Sequence, residues 1–357
     1  MIVTILSIVL VLGVLIFIHE LGHFLVARKV GVRVLTFSIG FGPKLLKRTM
    51  GDTEYALSAF PLGGYVRLLG DDPKEVVDQA EVHRSFLNQS VSKKMAIVFA
   101  GPLFNMLLAL IIFVGIYMFG VQVLTAEVGE VQEGSPAQQA GLLTGDVVVE
   151  IDGQKVTQWE NIRDLLQASG GREITVVLNR GRETLELRVL PVEKEDKNIF
   201  GEPQMSWKIG IGPKGTFITK RYDPLSAVYM GTQKTWEITE LTVVGIVKLI
   251  QGKLPAKTIG GPIMIAQMAG QQAAAGLLSV VIFIAILSIN LGVINLLPIP
   301  ILDGGHLVFF AIEGIMGRPI SMRKREVAQQ IGLFILISLM LFAIYNDVDR
   351  IITGPKE

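Results

Sequence analysis

A short motif near the start of the chain has the composition of a metal site. The run His19-Glu20-Leu21-Gly22-His23 places two histidines four positions apart. A helix would therefore project both imidazoles from one face towards one metal ion. Glu20 would lie beside that ion and could act as a general base on a water molecule. Catalytic zinc usually has three protein ligands and keeps its fourth position for water, so the motif predicts a zinc site that needs one more ligand.

The motif lies within an apolar segment, residues 1–27, that we predict to be the first transmembrane helix. About 20 residues of helix cross the hydrocarbon core of a bilayer, and ionisable side chains within a span are costly and usually functional. Arg28 follows His19 by about 13 Å of helix, so the site is expected inside the bilayer, near the basic end of this helix. A cleavable signal peptide is the alternative, but the segment lacks a basic start and a small-residue cleavage site.

The third ligand is expected late in the chain, in the run from Asn295 to His306, NLLPIPILDGGH. Two prolines interrupt a helix there and two glycines free the backbone. Irregular backbone at membrane depth is tolerated only within protein or around a cavity. Asp303 is the first candidate, and His306, one helical turn further on, is its rival. Ligation by two histidines and one aspartate suits zinc.

The composition indicates an integral membrane protein. Of the 357 residues, 50% are hydrophobic and only 18% are charged, and the mean hydropathy is +0.51, whereas soluble domains are about one-quarter charged. The net charge of +1 does not point to a nucleic-acid partner. The chain has no cysteine, which excludes disulfides and thiolate catalysis.

The expected segments follow from the alternation of apolar and polar stretches. In chain order they are transmembrane helix 1 (residues 1–27), a cytoplasmic loop with a β-hairpin (28–94), transmembrane helix 2 (95–120), a soluble domain (121–195), a linker with an amphipathic helix (196–276), transmembrane helix 3 (277–305), a basic cytoplasmic loop (306–326), transmembrane helix 4 (327–347) and a tail (348–357).

Basic residues set the expected orientation. They follow the first span, precede the second and separate the third from the fourth, so the positive-inside rule makes that side cytoplasmic. The soluble domain and both termini are then extracytoplasmic. Charged residues interrupt residues 232–252 too often for a fifth span, so we expect an amphipathic helix there, on the outer membrane surface or on the protein.

The soluble domain has short β-rich runs separated by turns such as Asp152-Gly153, and a helix is predicted at 158–168. Its residues 134–146, GSPAQQAGLLTGD, resemble the signature of bacterial PDZ domains. That resemblance implies a groove where an extended peptide adds to a sheet edge. A spacer or steric filter that binds no peptide is the equal alternative. We therefore predict a polytopic α-helical membrane protein with four transmembrane helices, an inserted α+β PDZ domain and a membrane-associated β-hairpin.

HELGH in the first span, N-x-x-P-x-P-x-L-D-G-G in a late span and the intervening PDZ-like insert together resemble the site-2 protease family of intramembrane zinc metalloproteases, in particular its regulator of sigma-E protease branch. The resemblance implies His19 and His23 as zinc ligands, Glu20 as catalytic base and Asp303 as third ligand. It also matches Gly101-Pro102 and Asn105, and Phe60 to Val66 in the first loop. Several members carry two PDZ domains, whereas this chain has one.

The same resemblance implies regulated intramembrane proteolysis and stress response in the bacterial inner membrane, and a multi-pass topology with the active site near the cytoplasmic side. It implies substrates that are single-pass membrane proteins, either anti-sigma factors or remnant signal peptides. It also implies that the first loop dips into the lipid bilayer as a β-hairpin. Asn295 would hold the substrate backbone.

A hypothesis for the hairpin follows from the chemistry of helical substrates. A transmembrane helix hides its peptide bonds in its own hydrogen bonds, so it must unwind before water can attack. A strand edge beside the zinc could pair with the unwound segment. We expect Gly63, Gly64, Tyr65 and Val66 to supply that edge.

Two other functions are compatible with parts of the sequence. One is a non-catalytic membrane binding protein, in which the PDZ-like domain captures partners and the metal is structural. The other is a metal transporter, but the polar intramembrane residues cluster at one depth and do not form a chain across the bilayer.

Overall fold

The computed structural model describes residues 2–72 and 75–353. The chain forms two compact units. The first comprises Met1–Gly115 and Val228–Glu357, and the second is the insert Ile116–Ala227.

The described residues form several long helices, one pair of long strands near the start of the chain, and mainly short strands in the insert. In chain order they are α1 (Ile2–Lys29), β1 (Val34–Met50), β2 (Thr53–Leu68), α2 (Val91–Phe119), β3 (Val121–Leu124), β4 (Val128–Val131), α3 (Pro136–Gln139), β5 (Val147–Ile151), β6 (Gln154–Lys155), α4 (Trp159–Ala168), β7 (Ile174–Arg180), β8 (Glu183–Val189), β9 (Val192–Lys197), β10 (Pro203–Lys208), β11 (Ile211–Pro213), β12 (Phe217–Lys220), α5 (Pro224–Ile250), α6 (Pro262–Ala275), α7 (Leu277–Asn295), α8 (Asp303–Met316) and α9 (Met322–Thr353).

Four helices of the described chain are long and apolar enough to cross a membrane, namely α1, α2, α7 and α9. These are the four spans that hydropathy predicts. Helix α9 is longer than the expected 327–347, because its polar first and last turns continue the helix beyond the apolar stretch.

Helices α1 and α2 approach each other closely. A Cβ placed on Gly22 of α1 would lie 2.4 Å from the carbonyl oxygen of Ala100 on α2, so only glycine allows this separation. Small residues at such crossings let helix backbones pack closely in membranes. The crossing brings one face of α2 against the histidine motif of α1.

Nearer the start of α1, Val11 and Leu15 are buried in an apolar cluster. Its other members include Ala269 of α6, and Phe283 and Ile284 of α7. In a bilayer such packing relies on close van der Waals contact, since lipid tails are as apolar as these side chains. Helix α1 is thereby held between α2 on one part of its length and α6 and α7 on another.

The loop after α1 forms a long hairpin of β1 and β2. Its first part has strand partners on both sides, since Phe37 lies opposite Val66 and also opposite Tyr55. Phe37 packs on α1, with ring centroids 5.2 Å from Phe24 and 5.9 Å from Phe17. This packing sets residues 64–67 of β2 along the motif-bearing helix.

The predicted third span differs from the observed one. Helix α7 ends at Asn295, and α8 begins at Asp303, so 277–305 is not one helix and the beginning of the expected loop 306–326 is helical. Prolines at 298 and 300 explain the break, because they cannot continue a regular helix. A Cβ on Gly304 would lie 2.3 Å from the carbonyl oxygen of Leu296, so glycine is required for α8 to begin this close to the end of α7.

Helix α5 begins earlier than the predicted 232–252 and lies on the protein. Gly231 meets Val114 of α2, where an added Cβ would be 2.7 Å from a methyl group. Eight residues further on, Thr239 Oγ1 lies 3.9 Å from Met106 Sδ. Within the first unit α5 therefore runs antiparallel beside α2, although its charged residues keep it from qualifying as an apolar span.

The insert is larger than the predicted 121–195. Its four-stranded sheet has the order β6-β5-β7-β8 and packs on α4 through a buried apolar core that includes Ile151, Ile162 and Val176. Strand β11 pairs with β4, and β12 pairs with β3. Residues beyond 195 are thus part of this unit, because its last strands need the first strands as their hydrogen-bonding partners.

Candidate metal centre

The two histidines of α1 point to a common place, as their spacing predicts. Their Nε2 atoms are 3.2 Å apart, and both side chains are largely buried. An α-helix places residues i and i+4 one above the other on the same face. The helix alone therefore explains how both imidazoles reach one point.

Asp303 completes the group from the first turn of α8. Its Oδ2 lies 3.2 Å from His19 Nε2 and 3.5 Å from His23 Nε2. Among the residues described, these three form a set whose potential ligand atoms all lie within 4.8 Å of one another. Asp303 Oδ2 is buried without a hydrogen-bond partner. Two imidazole nitrogens and a buried carboxylate oxygen fit a zinc ion, which binds nitrogen and oxygen ligands at about 2.0–2.2 Å.

Helix α2 supports the imidazoles from the other side. His23 Nδ1 is 2.8 Å from the backbone carbonyl oxygen of Ile97. A carbonyl only accepts hydrogen bonds, so Nδ1 carries a proton, and in the neutral imidazole the Nε2 lone pair is directed at the centre. One turn further along α2, a Cβ on Gly101 would lie 2.4 Å from His23 Nε2 and 2.8 Å from His19 Cε1. Only glycine leaves room for both rings.

Glu20 lies next to the hairpin. A Cβ on Gly64 of β2 would be 3.0 Å from Glu20 Cγ, so the strand passes directly over this carboxylate. A cavity of about 550 Å³ is lined by the three potential ligands, by Glu20 and by Gly64, Tyr65 and Val66. The carboxylate, the potential ligands and the strand edge thus share one cavity.

Other predicted residues have different positions. His306 lines the cavity but does not belong to the group of three potential ligands. Asn295 is the last residue of α7 and is not among the described residues that line the cavity. Gly63 also lies outside that lining, since its missing Cβ would face the ring of Phe41 at 1.9 Å.

Reasoning from the ionisable residues alone missed α2. Ile97, Gly101 and Asn105 are spaced by four along this helix and touch the two imidazoles. A glycine and an asparagine at helical spacing within an apolar span were the available signal. The sequence does not show which residues this glycine and asparagine contact, because the packing of α2 on α1 is a tertiary contact.

The sequence pattern of peptidase family M50 matches residues 7–339. The chain belongs to peptidase family M50. Curated relatives align with this chain over nearly their full lengths. The chain is 32% identical to the regulator of sigma-E protease RseP of Escherichia coli, with 97% of this chain and 98% of the relative covered. It is 39% identical to a provisionally named zinc metalloprotease of Agrobacterium fabrum, with 96% and 95% covered.

A third relative, a provisionally named zinc metalloprotease of Campylobacter jejuni, is 39% identical, with 97% of this chain and 94% of the relative covered. A solved PDZ domain from Listeria monocytogenes aligns with 24% of the chain at 22% identity and a TM-score of 0.20.

Family membership and the apolar helices establish the class of the protein. It is an intramembrane zinc metalloprotease of the site-2 type and a helical membrane protein of the bacterial inner membrane. The family does not favour a non-catalytic binding protein with a structural metal.

The contact of Gly101 with both imidazoles can be tested by adding one methyl group. We expect Gly101→Ala to lower zinc affinity by about 10–100-fold, the range found when the groups around metal ligands are disturbed. Zinc per purified protein in detergent, measured by atomic emission, reports the loss.

The matched control is Gly115→Ala on the same helix, where an added Cβ would meet nothing within 4 Å. It should retain normal zinc. Equal zinc content in the two variants would show that Gly101 does not control the room around the imidazoles.

Proposed function

We propose that this protein is an endopeptidase that hydrolyses a peptide bond within or near the transmembrane segment of a single-pass membrane protein. His19, His23 and Asp303 hold zinc, and Glu20 is the general base. The convergence of three potential ligand atoms within 4.8 Å, on largely buried side chains and in a cavity that Glu20 also lines, carries this proposal.

The roles of the residues follow from their chemistry. Bound zinc would supply a Lewis acid that polarises the scissile carbonyl and makes water a stronger nucleophile. Glu20 receives a proton from the attacking water, whose oxygen joins the carbonyl carbon. Glu20 then delivers that proton to the amine nitrogen as the carbon–nitrogen bond breaks. The products are a carboxylic acid and an amine, and transfer of the acid proton to the amine gives a carboxylate and an ammonium group.

The strand edge beside Glu20 supports a way of binding the substrate. Residues 64–67 pair with the first part of β1 on one side. Within the described chain their other edge meets no strand, and Gly64, Tyr65 and Val66 line the cavity. An unwound substrate segment that adds to this edge would regain backbone hydrogen bonds that it lost from its own helix. Gly63 and Asn295 have a weaker case, since the cavity lining does not include them.

The orientation follows from the distribution of basic residues. Arg28 and Lys29 end α1, and the positive-inside rule makes that end cytoplasmic. The active site then lies within the bilayer near the cytoplasmic side, and the insert is extracytoplasmic. The hairpin would enter the bilayer through the part away from its turn, where Leu45, Leu46 and Phe60 are exposed.

The insert is proposed to be a PDZ domain, on the basis of residues 134–146 and of a compact unit with its own apolar core. It either binds an extended peptide or limits the size of what reaches the membrane. A relative is named as a regulator of sigma-E, so an anti-sigma factor is a candidate substrate. Remnant signal peptides are a second class.

The general base is tested by Glu20→Gln. This change keeps the shape of the side chain but removes its ability to take a proton, so cleavage should fall by about 10²–10⁴-fold while zinc content stays normal. Proteomics of membrane fragments from cells with the wild-type or the variant chain would identify the substrates at the same time. An unchanged set of fragments would refute the assignment.

The third ligand is tested by comparing Asp303→Ala with His306→Ala. Both positions line the cavity, but only Asp303 belongs to the group of potential ligands. Loss of one of three protein ligands should reduce zinc to well below one ion per protein. The His306 variant should keep its zinc, and the reverse pattern would assign the ligand to His306.

The strand edge is tested by Val66→Pro, which removes one backbone N–H and disfavours pairing. Cleavage of a helical substrate should slow more than cleavage of the same substrate carrying helix-breaking residues at the cut site. Equal slowing of the two substrates would show that the edge has no part in holding unwound chain.

A further inference from the structure

Asn105 is a fully buried polar residue in the middle of α2, with 0% of its surface exposed. Its side-chain amide reaches His19, with Nδ2 placed 3.2 Å from His19 Nδ1. The other amide atom, Oδ1, is buried and has no hydrogen-bond partner. A buried amide is costly unless it makes hydrogen bonds. The contact with His19 is the hydrogen bond that this amide makes among the described residues.

The direction of this hydrogen bond decides what His19 can do. If the amide nitrogen donates to Nδ1, the proton of a neutral imidazole must be on Nε2. Nε2 would then present a hydrogen to His23 and Asp303 and could not bind a metal. If the amide oxygen faces Nδ1, it accepts the Nδ1 proton and leaves the Nε2 lone pair free. Amide oxygen and nitrogen are assigned from the hydrogen-bond network, and metal binding requires the second arrangement.

The partner of His23 supports the same arrangement. The carbonyl oxygen of Ile97 accepts from His23 Nδ1 at 2.8 Å. Ile97 and Asn105 are eight residues apart on α2, with Gly101 between them, and thus share one helical face. In this arrangement each imidazole donates its Nδ1 proton to an oxygen on α2, and each Nε2 faces the centre. Metal-ligating histidines commonly have such a partner on the second nitrogen.

The backbone of α2 at this point is also tied to α7. Ser288 Oγ donates to the backbone carbonyl oxygen of Asn105 at 2.7 Å, and Ser288 is fully buried. This bond does not involve the Asn105 amide. Asn105 therefore makes two distinct contacts. Its backbone carbonyl is bonded to a serine of α7, and its side-chain amide contacts the imidazole of His19.

We propose that Asn105 is a positioning residue of the zinc centre, whose amide oxygen accepts the Nδ1 proton of His19 and so fixes the tautomer and the ring orientation in which Nε2 binds the metal. This inference rests on the zinc centre proposed above. Under this proposal, oxygen atoms of α2 orient both histidine ligands.

Two substitutions of Asn105 separate the hydrogen bond from packing. Asn105→Leu has a similar volume and no acceptor, so zinc affinity should fall by about 10–100-fold. Asn105→Asp keeps an oxygen in the same place and should retain at least wild-type affinity. Competition with a chelator on the full-length protein in detergent measures the affinity. The visible spectrum of the cobalt-substituted protein should change in the leucine variant and stay the same in the aspartate variant.

Ser288→Ala is the matched control, because it removes the neighbouring hydrogen bond to the Asn105 backbone and leaves the amide intact. It should bind zinc as the wild type does. Wild-type affinity and spectrum in Asn105→Leu would overturn the proposal, as would equal losses in the leucine and aspartate variants or an equal loss in Ser288→Ala. Failure of the wild-type protein itself to bind zinc would instead overturn the zinc centre.

Discussion

Two imidazoles and one carboxylate meet inside a bundle of apolar helices, and most features of the first unit make that meeting possible. Polar side chains away from water are costly unless they pair with one another or with a metal. Here His19, His23 and Asp303 converge from two elements that are far apart in the chain. A glycine at 22 on α1 and another at 101 on α2 allow the helices to approach closely enough to enclose them.

The break between α7 and α8 also helps to bring the carboxylate to the two imidazoles. A continuous helix through residues 296–302 would carry Asp303 past the histidines, whereas the irregular segment lets α8 begin beside them. Backbone polar groups in such a segment need partners at membrane depth. Some are supplied locally, since Ile299 N–H donates to the Leu297 carbonyl and Leu302 N–H donates to the Ile299 carbonyl. The segment also packs against Gly332 of α9, where an added Cβ would lie 3.2 Å from Ile301.

In the proposed mechanism the hairpin links substrate binding to the chemistry of peptide hydrolysis. Its strand passes over Glu20, so the proposed general base and the proposed substrate-binding edge lie side by side. Under this proposal the hairpin helps with the main difficulty of proteolysis in a membrane, which is to expose a peptide bond that a helix protects. Helix α5 lies beside α2 and carries charged residues such as Glu237, Glu240 and Lys248.

The sequence by itself determined the local features of this protein. The four-residue spacing of His19 and His23 gave both imidazoles one face, because helical geometry is local. Apolar length identified the four spans, and the two prolines before Asp303 marked irregular backbone.

Only the tertiary structure decided which groups meet. Asp303, and not its neighbour His306, joins the histidines, and this depends on where α8 begins after the break. The role of α2 was also hidden, because Ile97, Gly101 and Asn105 acquire their partners only when α2 packs on α1. For the same reason, the sequence did not show that strands β11 and β12 belong to the insert. Each of them pairs with a strand from the start of the insert, and a strand's own residues do not reveal its partner.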